Sequence, residues 1–154
     1  MRLKTVDSGP ERGAYLPLFL LADDSEQQIQ GYMQAGILYV VEEDERDLGI
    51  VLAIPFEAGT IELKAVAVDS DCHNRGIGKR MLALVLAALK DAGYSRVVLG
   101  TGNSGIGQIA FYQKAEFRLW KIERDFFSPE RGYPDGLEEN GIPLRDMVWF
   151  DRSI

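Results

Sequence analysis

The stretch that most constrains this chain runs from an apolar strand ending in Val66-Ala67-Val68 to the loop and helix start His73-Asn74-Arg75-Gly76-Ile77-Gly78-Lys79-Arg80. A strand that passes through a short polar loop into glycines and then a long apolar helix is the start of a strand–helix unit. The glycines let the backbone approach a bulky ligand, and the first N–H groups of the helix have no intrahelical partners. Such helix starts attract anions, so a phosphate has a natural seat here. Lys79 and Arg80 sit in the first helical turn, where the macrodipole disfavours cations. With Arg75 they form a cationic cluster in a chain of net charge -7. A bound polyanion accounts for that cluster; a solvated helix start with ordinary surface charges is the other reading.

At 154 residues the chain is read as one domain spanning 1–154, large enough to bury roughly 70% of its unfolded surface. Its 46% hydrophobic and 27% charged residues are ordinary globular values. It has neither an apolar run of about 20 residues nor a basic-then-apolar leader, so neither a membrane span nor a secretory signal is expected. The lone Cys72 cannot form an internal disulfide, which fits a reducing cytoplasm. Seventeen basic against 24 acidic residues argue against nucleic acid as a partner. One histidine and one cysteine argue against a structural zinc site, and no metal is expected.

The coarse pattern is mixed α/β. Met1–Val6 reads as an opening strand, and about Glu11–Ala35 as two helical pieces parted by Asp23-Asp24-Ser25, with Ser25 as an N-cap. Ile37–Val41 and Leu48–Phe56 read as an antiparallel hairpin across the charged turn Glu42–Asp47. Thr60–Asp69 alternates, which puts Ile61, Leu63, Ala65 and Ala67 on one face and Glu62, Lys64, Val66 and Val68 on the other. Gly76–Ala92 carries a broad apolar stripe that belongs against a sheet, closed by Gly93. A buried strand Arg96–Leu99, a helix at about Gly105–Lys114 and a strand Phe117–Ile122 follow, and these strand–helix–strand units suggest parallel pairing. Ser128–Pro143 is either a functional loop or poorly ordered.

A second glycine motif competes with the first. Gly100-Thr101-Gly102-Asn103-Ser104-Gly105 is a literal G-x-G-x-x-G, with Asp125 placed as a ribose-binding acid would be. It begins too late in the chain to leave room for two βαβ halves, which weakens a dinucleotide reading. A Walker A loop fails, since it needs glycine where His73 stands and Ser or Thr where Arg80 stands.

Val66 to Arg80 resembles the signature of the GNAT superfamily of N-acetyltransferases. That family pattern is a Val-x-Val-like strand end followed by Gln/Arg-x-x-Gly-x-Gly/Ala at a helix start. Phe111-Tyr112-Gln113-Lys114-Ala115-Glu116-Phe117 resembles the family's later element, a helical tyrosine shortly before a Gly-Phe pair. The resemblance is strong over about Thr60–Arg118. Two positions depart from it: His73 replaces Gln or Arg, and Glu116 replaces glycine. The tail, with Arg124-Asp125-Phe126-Phe127 and Glu139-Asn140-Gly141-Ile142, is similar to a bacterial subgroup of the family.

The resemblance implies a central mixed sheet, antiparallel in its N-terminal part and with a parallel strand pair at the cofactor cleft, flanked by about four helices. It also implies acetyl-CoA as cosubstrate. Residues His73, Asn74, Arg75, Gly76, Ile77, Gly78, Lys79 and Arg80 then form the pyrophosphate loop, and Val66, Ala67 and Val68 pair through their backbone with the pantetheine arm. Asn103 is placed to hydrogen-bond that arm. Tyr112 becomes the proton donor to the leaving thiolate; without the resemblance it reads rather as a core tyrosine on a buried helix face. Glu62 becomes the base, with a surface glutamate paired to Lys64 as the other reading; Asp125 and Asp146 are reserves. A base is needed because a lysine-like amine of pKa ~10.4 is neutral in only about one molecule in 2,500 at pH 7. His73 has the pKa of a base but lies in the anion loop, and Cys72 reads as packing.

The expected activity is acetyl transfer from acetyl-CoA to a primary amine by direct attack. The alternative is a catalytically silent acyl-CoA-binding regulatory module. A small-molecule amine, a protein N-terminus or a lysine fits as acceptor, with Asp135, Glu138, Glu139 and Asp146 as attractors of cationic charge. Tyr15, Tyr32, Phe126, Phe127, Tyr133 and Trp149 are pocket candidates, and a homodimer paired through exposed strands is compatible with the sequence.

Overall fold

β-Branched and apolar runs interrupted by short turns build the sheet first. The structure, a computed structural model, describes residues 1–154. Strands β1 (Arg2–Val6), β2 (Ile37–Glu43), β3 (Arg46–Glu57) and β4 (Thr60–Val68) pair antiparallel, each with the next. Strand β4 pairs parallel with β5 (Arg96–Gly102). The remaining large strands are β6 (Arg118–Glu123) and β9 (Met147–Ser153), and the sheet order is β1-β2-β3-β4-β5-β9-β6. Residues 147–153, not anticipated as a strand, therefore insert between β5 and β6, antiparallel to both. The parallel pairing expected for Phe117–Ile122 gives way for that reason: β6 never meets β5.

Helices cover both faces. On one side α1 (Leu16–Ala22) and α2 (Glu26–Tyr32) bury Phe19 and Ile29 against Leu38, Ile50 and Leu52. Ser25 caps α2, its hydroxyl accepting from the Gln28 amide at 3.2 Å. On the other side α3 (Ile77–Asp91) presses Met81, Val85 and Leu89 onto Val51 and Leu63, and α4 (Ile106–Lys114) adds Tyr112. Each such aliphatic side chain contributes about 1.5–3 kcal/mol by leaving water. Gly93, at φ 98°, ends α3, and the Tyr94 amide donates back to the Leu89 carbonyl at 3.1 Å. The segment 128–143 carries a short turn at Pro129–Arg131 and a two-rung ribbon of β7 (Glu138–Glu139) and β8 (Ile142–Pro143).

One irregularity overturns the alternation read along β4. Leu52 pairs with Ala65 but Ala53 pairs with Leu63, so Lys64 is an extra residue on β4. A bulge shifts every later side chain to the opposite face. Ile61 and Leu63 thus belong with α3, while Ala65 and Ala67 belong with α1 and α2. Val66 and Val68 pack on the α3 side, and Glu62 no longer shares a face with them.

Candidate active site

The bulge lies two residues past the last rung between β4 and β5. Those strands pair only at Thr60–Arg96, Ile61–Val97 and Glu62–Val98. Beyond Glu62 they part, while β4 stays paired with β3 and β5 with β9 out to Gly102. Each strand therefore turns one bare edge of N–H and C=O groups into the gap, ready for an extended ligand arm. The gap is a cleft of ≈ 190 Å³ whose walls include Glu62, Val66, Leu99, Gly102 and Tyr112.

The anion loop lies beside the cleft rather than in its walls. Asn74 at φ 64° and Gly76 at φ 71° both adopt the left-handed conformation, which turns the chain sharply into α3. No side chain caps that helix, so its first amides remain available to an anion. The ring Nε2 of His73 meets the Val68 carbonyl at 2.9 Å and ties the loop to the end of β4. Arg80 leans toward Glu43 at 3.7 Å across the exposed surface, a weak pairing.

Tyr112 is at once a core residue and a cleft residue. Its ring packs edge-on against Phe111 and Phe117, yet the residue also forms part of the cleft wall. Burial alone pushes its phenol far above the ordinary tyrosine value. Glu62 stands in the same wall with a half-buried Lys64 ammonium at 4.0 Å. Burial raises its carboxyl above the usual range, and Lys64 opposes that only in part.

Asn103 stands outside the cleft walls. Its Oδ1 accepts from the amides of Arg145 and Asp146, and its Nδ2 donates to the Pro143 carbonyl at 3.1 Å. It clips the 143–146 segment to β5. Asp146 accepts from the Asp125 amide at 2.9 Å, and both reserve bases lie outside the cleft walls. The glycines of the second motif have a packing reason: a Cβ on Gly100 would sit 2.6 Å from Met147 Sδ, and one on Gly102 would overlap Leu144.

Asp23 and Asp24, read from sequence as a helix separator, stand in the cleft wall. Asp23 accepts from Tyr32 Oη at 2.8 Å, and Tyr133 lines the same wall. Phe126, Phe127 and Tyr133 close the same end, whereas Tyr15 bonds Asp47 and Trp149 packs on Trp120 away from it. Of the acids expected to attract an amine, only Glu139 lines the cleft. Ser104, in the second glycine motif, is 1% exposed and its hydroxyl has no hydrogen-bond partner.

Residues 11–117 match the model of the acetyltransferase (GNAT) family. An uncharacterized N-acetyltransferase, YvbK, of Bacillus subtilis (strain 168) is 34% identical over 131 residues, 85% of this chain and 83% of that protein. The IAA acetyltransferase from Bacillus cereus ATCC 14579 superposes with a TM-score of 0.87 at 34% identity, over 99% of each chain. A GNAT family acetyltransferase from Elizabethkingia anophelis, solved with acetyl-CoA bound, gives a TM-score of 0.88 at 33% identity over 99% of this chain and 97% of that one. No helix of the present chain is long and apolar enough to cross a membrane. With its parted parallel strands, uncapped helix start and cleft-wall tyrosine, the chain belongs to the GNAT family of acyl-CoA-dependent acetyltransferases.

Proposed function

We propose that this protein moves an acetyl group from acetyl-CoA to a primary amine by direct attack, both substrates being bound at once. The observation that carries this reading is the shared cleft: Glu62 and Tyr112 stand in the walls of one gap between two bare strand edges. Acetyl-CoA supplies an activated thioester. The amides at Arg75, Gly76, Gly78 and Lys79 would hold its pyrophosphate, with Lys79 and Arg80 balancing the charge. The edge of β4 at Val66 would align the pantetheine and offer an N–H to the thioester carbonyl.

Glu62 takes the proton of the incoming ammonium, which frees the nitrogen lone pair for attack. Its raised carboxyl makes it a better base than a solvated glutamate. Tyr112 keeps its proton at any ordinary pH, so it donates a hydrogen bond to the leaving sulfur. Because a thiol titrates near 8.5, full transfer from so weak an acid runs uphill, so the phenol steadies the developing thiolate, which takes up the second proton that the nitrogen sheds as the C–N bond forms and the C–S bond breaks.

Calorimetric titration with acetyl-CoA, with NAD as control, tests the cofactor reading. Micromolar binding of acetyl-CoA alone supports it, and binding of NAD alone sinks it. Tyr112→Phe then separates an enzyme from a silent binder: turnover falls by about a hundredfold or more while acetyl-CoA still binds.

A further inference from the structure

Strand β6 is a free edge of the seven-stranded sheet, with β9 on one side and no strand on the other. Along Arg118-Leu119-Trp120-Lys121-Ile122-Glu123 its outer side therefore offers a row of unpaired N–H and C=O groups. Leu119 and Ile122 on this edge are 58% and 57% exposed. The register with β9 fixes where the side chains point. Leu119 pairs with Phe150 and Lys121 with Trp149, so Trp120 is an extra residue, a bulge in mid-strand. The bulge returns Leu119 and Ile122 to one face, that of Phe150 and Val148 on the α3 side. Arg118, Lys121 and Glu123 belong to the other face, where Trp120 packs on Trp149.

We propose that β6 joins β6 of a second copy of this chain, antiparallel about a two-fold axis at the bulge, so that two sheets become one. The strand is complementary to itself in that register. Leu119 meets Ile122 of the second copy, and Arg118 meets its Glu123, each pair on a common face as antiparallel neighbours must be. By symmetry both pairs form twice. At the centre Trp120 and Lys121 meet their own copies, and Lys121 already lies 4.4 Å over the Trp120 ring. The charge is available. Arg118 stands opposite Asp151 on β9, but Arg96 takes that carboxylate at 3.0 Å, and Arg118 makes no ion pair in its own chain. Glu123 holds Arg131 at 3.3 Å and keeps 39% of its side chain exposed. A lysine and a bulge discourage pairing with an arbitrary strand. The same strand reversed presents the complement of both.

A six-residue strand is a small interface beside the roughly 800 Å² per partner of a standard one, so the dimer should dissociate on dilution. Sedimentation velocity from low micromolar to submillimolar protein should show the mass rising from one chain toward two. Arg118→Glu sets like charges opposite each other at both ends and should raise the dissociation constant by about tenfold or more. A melting temperature close to the parent's establishes that this variant is folded. Leu119→Cys and Ile122→Cys chains, mixed under mild oxidation, should cross-link at least about tenfold faster than either chain alone, because only unlike positions stand directly opposite. The native Cys72 is buried and takes no part. A monomer at every concentration overturns the proposal. So does a dimer indifferent to Arg118→Glu, or cysteine chains that cross-link as fast alone as mixed, since either places the contact on another surface.

Discussion

The Nε2 atom of His73 lies 2.9 Å from the carbonyl oxygen of Val68, so the first residue of the anion loop is fastened to the last residue of β4. A carbonyl only accepts, so this nitrogen carries the proton. The tether sets where the loop amides stand relative to the bare edge of β4. Replacing His73 by Ala removes one hydrogen bond worth about 0.5–1.5 kcal/mol, so the acetyl-CoA Kd should rise by about two- to twelvefold. Gln, which also offers an N–H, should restore most of it. An Ala variant that binds acetyl-CoA like the parent shows that the tether does not shape the site.

The two loop glycines differ in what they supply. Gly76 stands at φ 71° with open space where a Cβ would go, so the cost of Gly76→Ala is conformational, about 1–2 kcal/mol. Gly78 is helical, and a Cβ there would make ordinary contacts with Phe111 and Val68 at 3.5 and 3.6 Å. Gly78→Ala should therefore stabilise the fold by roughly 0.5–1 kcal/mol. Denaturant melts of the two variants should shift in opposite directions. Destabilisation by Gly78→Ala would mean that the helix start is not as placed.

The strand–loop–helix from Val66 to Arg80 was legible because its chemistry is local: glycines, polar loop and apolar stripe are contiguous. The parallel β4–β5 pair followed from the connection through α3. What stayed hidden depends on pairings between distant segments. Nothing in residues 60–68 marks Lys64 as the extra residue, since the bulge arises from the register with β3, and it reversed the face of Val66 and Val68. Strand β9 enters the sheet between two strands that precede it in sequence, a topology no local pattern announces. Asp23 and Asp24 made a convincing helix separator, and they are one; only the arrival of Tyr133 from the far loop makes them a wall of the cleft. Asn103 shows the converse. The resemblance placed it near the cofactor, and its amide is committed to Pro143, Arg145 and Asp146.

Arg12 is 2% exposed and donates to four backbone carbonyls, those of Val6, Met33, Ala35 and Gly36. Its planar fork joins the end of β1 to the exit of α2, the helix whose Tyr32 braces Asp23. Burial lowers its pKa, although the guanidinium remains charged. Arg12→Ala strips partners from several buried carbonyls, each costing about 1–3 kcal/mol, and should lower stability by about 3 kcal/mol or more. Arg12→Lys cannot span the same four acceptors and should recover only part of the loss. A Lys variant with the parent's melting temperature would show that charge, not the fork, is what the site requires.

If Glu62 is the base proposed above, it links activity to stability with opposite signs. Burial raises its carboxyl above the value in an unfolded chain, with Lys64 at 4.0 Å opposing. An acid whose pKa is higher when folded prefers its protonated form in the native state. Stability therefore falls as pH rises through the unfolded and then the folded value, and the penalty stays in full above both. Glu62→Gln abolishes the charge, so its melting temperature should exceed the parent's at pH 7.5, and the gap should close in acid below both values. The lost pairing with Lys64 offsets this little, since such partly exposed pairs contribute about 0–1 kcal/mol. Over the same range kcat should fall by about a hundredfold or more, because nothing then takes the ammonium proton. The acidic limb of the parent's kcat/KM profile, centred above the ordinary glutamate value, should vanish in the variant. If that limb persists unchanged in Glu62→Gln, the proton goes elsewhere and Glu62 is not the base.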